Sequence, residues 1–272
     1  PITGSPVIDI QHISNTNGVY KVLTGERENF FVKFHTSSWY KDAPDTFVVV
    51  QREAAAHAML RRKGIPLAYR TWTDCTRRFV NRSVLITSEL PGTPVPTALT
   101  DYPGEQEQII VALGRFLKSL YDLTFPRAGY IELSGDADLP FSLDPGENAW
   151  WNTHPCHRSE NFKALAFGIL AEKENLLPTN LFSRLKDRFE KIPQILAPEY
   201  SPPRFVINNF HPFHIHTIKD SSGWRITGIY DFEAASSGTP LHDLVGNELQ
   251  LAPVMGNLDW RKSFYEAYGH YP

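Results

Sequence analysis

Phe205-Val206-Ile207-Asn208-Asn209-Phe210-His211-Pro212-Phe213-His214-Ile215-His216, followed downstream by Ile229-Tyr230-Asp231-Phe232-Glu233, is the stretch on which the fold turns. Residues 204–207, 215–218 and 224–230 are short β-like runs, and a polar loop with proline lies between the first two. Three imidazoles within six residues raise the question of a metal. In extended chain His214 and His216 share a face, but Pro212 sets His211 apart from them. The plainer reading makes His216 a strand residue and leaves His214 as the one that points into a site. It makes His211 a satisfied structural histidine at the wall of that site. Cys156-His157 with His154 forms a second polar cluster, without the paired-cysteine spacing of a metal knuckle.

Outward from this stretch the chain is mostly helical. Residues 104–123 carry Ile109, Ile110, Leu113, Phe116, Leu117 and Leu120 on one face. Residues 161–172, 181–196, 243–251 and 259–268 are further helical segments. The first ninety residues differ. Residues 7–13, 19–23 and 29–34 read as strands, with turn clusters at 14–18 and at Thr24-Gly25. Asp45 and Thr46 offer an N-cap to a helix over 47–63, and Gly64 stops it. Residues 67–73 and 83–89 are again β-like, and Leu90-Pro91-Gly92-Thr93-Pro94 breaks that sheet. The expectation is an α+β chain of two lobes. The first, 1–90, is β-rich with one helix; the second, 91–272, is mainly helical and holds the segment 205–233.

Composition narrows the function. The 272 residues are 42% hydrophobic, with 27 Lys+Arg against 30 Asp+Glu, so no basic surface for a phosphate backbone is expected and nucleic acid is excluded as a partner. The longest apolar runs, 47–50 and 84–86, fall far short of the roughly 20 residues of a membrane span. Cys75 and Cys156 read as reduced thiols, which points to the cytoplasm.

Three features of the first lobe fit a nucleotide cradle: the loop 14–18, Lys33 within Phe30-Phe31-Val32-Lys33-Phe34, and Glu53 on the following helix. A lysine near buried surface needs an anion, which Glu53 or a phosphate would supply. Taken alone, the segment around Lys33 reads as an edge strand with its lysine in solvent. The loop has a single glycine where a phosphate cradle prefers bare backbone.

In their order along the chain these parts resemble the aminoglycoside phosphotransferase and choline kinase superfamily, which has a protein-kinase-like fold. The resemblance spans nearly the whole chain. It implies that Lys33 is the phosphate-pairing lysine, Glu53 its helix partner and Ser88 to Leu90, with Glu89, the adenine-side hinge. It also implies that Asp231 is a metal-binding aspartate and that Asp243 supports the catalytic loop. On the substrate side it places Trp150 and Trp151, with His211 beside them.

The loop departs from the resembled pattern His-Gly-Asp-x-His-Pro-x-Asn. With His211-Pro212 in register, Ile207 stands at the first histidine, Asn208 at the glycine, Asn209 at the catalytic aspartate and His214 at the metal-binding asparagine. An amide cannot accept a proton near neutral pH, and loss of a general base typically removes about 10²- to 10⁴-fold of rate. Imidazole is also a poor partner for Mg²⁺, which wants oxygen. The expectation is an enzyme whose kinase cleft serves other chemistry on an apolar small molecule, for example a cyclisation in terpenoid or other natural-product biosynthesis. Asn209, His214 and Asp231 would act at its centre, and no cofactor would be required. The alternative is a phosphotransferase using ATP and Mg²⁺, with Lys33, Glu53 and Glu89 on the nucleotide and Asp231 on the metal. A pseudokinase-like binding module is the third reading.

Overall fold

The computed structural model describes residues 5–14, 18–25, 28–35, 47–78, 80–132, 142–144 and 156–269. The capping pair Asp45-Thr46, most of the loop 14–18, and Phe141, Trp150, Trp151 and His154 lie outside the described residues. Strands β1 (Val7–Ser14), β2 (Val19–Thr24), β3 (Phe30–Phe34), β4 (Thr71–Asp74) and β5 (Val84–Ser88) form an antiparallel sheet in the order β1-β2-β3-β5-β4. β3 therefore has a neighbour on both sides, Lys33 lying opposite Val19 on β2 and Leu85 on β5. This corrects the edge-strand reading of Lys33. Successive side chains alternate between faces, so Phe31 and Lys33 point one way and Phe30, which is buried, the other.

Helix α1 (Phe47–Arg62) follows the sheet and buries Ala55, Ala56, Met59 and Leu60 in the main core. It ends as its sequence requires. Ile65 N–H bonds Leu60 O and Gly64 N–H bonds Arg61 O, with Gly64 left-handed at φ +73°, a Schellman cap that a side chain at Gly64 would strain. The strand expected over 67–73 begins only at Thr71, and the Ala68 carbonyl upstream is taken by the Arg61 guanidinium.

After β5 the chain turns through β6 (Thr93–Pro94) into α2 (Val95–Asp101), a helix that the run of breakers concealed. Pro96 lies in its first turn, where a missing N–H costs nothing, and Val95, Ala98 and Leu99 are buried. Helix α3 (Gln106–Tyr121) presents the apolar face that the spacing indicates, every one of its six residues being buried. Strands β7 (Gly129–Glu132) and β8 (Ser142–Asp144) follow, then α4 (Ser159–Glu172). The helix expected over 181–196 is two, α5 (Thr179–Glu190) and α6 (Ile192–Leu196), since Pro193 cannot continue the hydrogen-bond ladder and opens a new helix instead.

The candidate loop lies between β9 (Arg204–Val206) and the hairpin β10 (Ile215–Asp220)–β11 (Gly223–Ile229). The hairpin pairs with β6 and so seats the loop under the end of the first sheet. Gly92 makes that seating possible: a Cβ there would come within 2.2 Å of Thr217 O. β12 (Ser236–Gly238) pairs with β7 and β9, α7 (Leu241–Met255) packs against α2, and α8 (Trp260–Tyr268) closes the core against α3. Among the described residues, no helix is long and apolar enough to cross a membrane.

Candidate functional site

The loop is held from below by Asp243 on α7. Its carboxylate accepts from Ile207 N–H at 2.7 Å, Asn208 N–H at 3.0 Å and Tyr121 Oη–H at 3.2 Å. Burial pushes its pKa up to about 7 against the pull of those donors. Asn208 adopts φ +62°, which asparagine tolerates better than most residues, and its amide donates to Ala234 O and Ser236 Oγ. The backbone that the resembled glycine would allow is thus kept by a tethered asparagine.

At the centre, Lys33 Nζ lies 2.5 Å from Asp231 Oδ1, 3.2 Å from Glu53 Oε2 and 2.9 Å from Glu233 Oε2. Burial alone would lower the ammonium's pKa, but Asp231, Glu53 and Glu233 outweigh it and hold it well above the usual value. For Glu53, burial pushes upward and Lys33, helped by His35, overrides it, so this carboxyl stays ionised far into acid. Glu233 ends higher than usual, because its burial and the charges of Asp231 and Glu53 exceed what Lys33 returns. His35 completes the cluster, with Nε2 3.2 Å from Glu53 and Nδ1 3.5 Å from Glu233. His35, Glu53 and Glu233 offer ligand atoms within 4.8 Å of one another, a spacing a metal could use. The Lys33 ammonium stands between the two carboxylates in the place of that cation.

Toward solvent, Asn209 donates its amide to Asp231 Oδ2 at 3.2 Å, and His214 Nδ1 lies 3.7 Å from the same oxygen. Burial lowers the His214 pKa more than Asp231 raises it, so the ring is neutral at pH 7. His211 caps its own turn, Nδ1 accepting from Phe213 N–H, and its ring stands 5.4 Å from that of His214. His216 faces away, toward Tyr230 at 5.4 Å. The three imidazoles therefore do not converge on one point.

Mg²⁺ fits this donor set poorly. Asp231 has one oxygen on Lys33 and the other on Asn209, and the remaining neighbour is an imidazole. The hinge donors are engaged within the chain. Ser88 N–H bonds Arg70 O, Glu89 N–H bonds Asn29 O, and Leu90 N–H bonds the Tyr230 hydroxyl at 2.5 Å. The Glu89 carboxylate is held by Lys21 and Asn29, each at 2.6 Å, and so stands outside the cleft's polar centre. In the sequence Tyr230 stands out only as the residue before Asp231. Its signal lay in the period-two pattern, which puts Phe31 on the same face as Lys33 and so over the space that Tyr230 enters.

Comparison with known proteins agrees with this architecture. The model of a phosphotransferase enzyme family (APH) matches residues 9–270. An aminoglycoside 2'-phosphotransferase-IIIa solved with GDP aligns at TM-score 0.57 and 15% identity over 97% of this chain and 78% of that one. A macrolide 2'-phosphotransferase from Brachybacterium faecium gives 0.54 and 14% over 99% and 81%, and a Plasmodium vivax ethanolamine kinase 0.55 and 16% over 96% and 67%. No curated protein sequence matches. At such identities the solved structures speak to fold, and the family match covers nearly all of the sequence. The chain belongs to the phosphotransferase enzyme family, with a protein-kinase-like fold.

Proposed function

We propose that the cleft acts on a small molecule by proton transfer and not by phosphoryl transfer, with His214 as the group that gives and takes the proton. The observation that carries this reading is the environment of Asp231 Oδ2. Where the resembled loop has a proton-accepting carboxylate, Asn209 spends its amide on Asp231, and His214 is the neutral imidazole beside the same oxygen. Asp231, with Oδ2 3.7 Å from Nδ1, stabilises the imidazolium formed when the ring accepts a proton. An apolar or flat substrate is the proposed class, and ring closure with loss of a proton is a reaction this pair could serve. Trp150 and Trp151, the residues expected to grip such a substrate, lie outside the described residues, so the proposal rests on the loop. A cytoplasmic setting is part of the same proposal.

One observation favours the alternative, an ATP- and Mg²⁺-dependent phosphotransferase: the Lys33–Glu53 pair is formed at 3.2 Å. Incubation with γ-labelled ATP, Mg²⁺ and a panel of hydroxylated acceptors separates the two. No label above a blank is expected in any acceptor. Stoichiometric transfer to one of them, lost in Lys33→Ala, would overturn the proposal.

A further inference from the structure

The space between β3 and the hinge is filled by the chain itself. Tyr230 runs from the end of β11 toward Leu90, its ring edge-on to Phe31 at 5.7 Å and to His216 at 5.4 Å. Its hydroxyl accepts the Leu90 N–H, while the His216 imidazole is hydrogen-bonded to the backbone of the same residue. A free N–H and C=O on one extended residue form the donor–acceptor edge that a purine base reads; here both are engaged from within. The flat apolar slot beside such an edge, which would stack a base, holds a phenol ring. Tyr230 is anchored at its backbone too, its N–H bonded to His214 O and its successor Asp231 held by Lys33 at φ +71°.

We propose that Tyr230 is an internal occupant of the base slot: it takes the volume and the hinge hydrogen bond of a purine, closes the cleft to nucleosides and nucleotides, and confines ligands to the outer part around Asp231, Asn209 and His214. This is independent of what His214 does there, since it concerns the inner half of the cleft. Removing the ring should leave a flat cavity beside a freed Leu90 N–H, and a purine is the class of molecule that fills it.

Calorimetric titration with adenosine and with ADP, both without metal, tests this on the wild type, Tyr230→Phe and Tyr230→Ala. The wild type and Tyr230→Phe should give no saturable heat at millimolar ligand. Tyr230→Ala should bind adenosine at least about tenfold more tightly than either. Equal binding by wild type and Tyr230→Ala overturns the proposal. So does absence of binding in a Tyr230→Ala protein whose unfolding transition shows it folded. If that variant does not fold, amide exchange at Leu90 decides: protection that falls in Tyr230→Phe and is unchanged by adenosine in the wild type supports the proposal. Equal protection in the two proteins, or a wild-type amide that responds to adenosine, overturns it.

Discussion

The two ends of the cleft hold their polar groups in different ways. At the charged end Lys33, Glu53 and Asp231 stand together, joined by Glu233 and His35. At the hinge end every backbone N–H from Ser88 to Leu90 is consumed, one of them by a tyrosine side chain. The difference is one of cost. A buried ion cluster cannot lose a member cheaply, because the others are left charged and unpaired. A hinge that offers hydrogen bonds to a ligand can exchange them for internal ones at little cost in stability. Retention of charged residues in such a cleft therefore reports on folding as much as on catalysis.

The sharpest way to break this comparison is Lys33→Ala, which strands three carboxylates. Urea titration should show a loss of about 3–5 kcal/mol; a loss below about 1 kcal/mol would mean that the cluster is no structural unit. Asn209→Asp comes next. It sets a carboxylate where an amide now donates to Asp231, and like-charge repulsion should cost about 1–2 kcal/mol, with no gain in phosphoryl transfer. Restored transfer would show that the hinge end admits nucleotide after all. Lys21→Ala, at the half-exposed pair with Glu89, should cost less than about 1 kcal/mol by the same titration. A cost equal to that of Lys33→Ala would erase the distinction between the two ends.

His57 sharpens the comparison in pH. It is buried on α1 with neither ring nitrogen hydrogen-bonded among the described residues, and its pKa is lowered to about 4 by burial first, with Arg61 and Lys33 adding and Glu53 opposing. A histidine pKa lowered by folding contributes stability that is complete above its unfolded value near 6.5 and is lost as pH falls toward 4. Stability should therefore decline across that window, and His57→Leu should flatten the decline without lowering stability at pH 7. An unchanged acid limb in the variant would assign the decline to other groups.

Much of the fold was legible because its signals are local. The 3.6-residue periodicity of α3 and the Gly64 stop of α1 are properties of short segments, and the structure follows both. The misses share a cause. α2 was hidden by the prolines that start it, and Pro193 divided a helix whose apolar spacing ran on through it; each element exists because burial rewards it once the rest of the core is in place. At the candidate site, motif order pointed to Lys33, Glu53, Asn209, His214 and Asp231, and these five lie together. Glu233, His35 and Tyr230 gave no comparable signal, because their partners lie far along the chain: Glu233 meets Arg52 181 residues away, His35 meets Glu233, and Tyr230 meets Leu90 140 residues away.

The sequence by itself determined which chemistry is available: an amide in place of a carboxylate at Asn209, an imidazole in place of an oxygen ligand at His214, and a lysine that needs counter-charge. Those are properties of residue types and hold wherever the chain places them. Only the tertiary structure decided who supplies the counter-charge and what fills the hinge. Lys33 became an interior residue when β5 paired with β3, and Tyr230 reached Leu90 when the β10–β11 hairpin docked against β6 at Gly92. Long-range contacts of this kind are set by the packing of whole elements, and no window of sequence contains both partners.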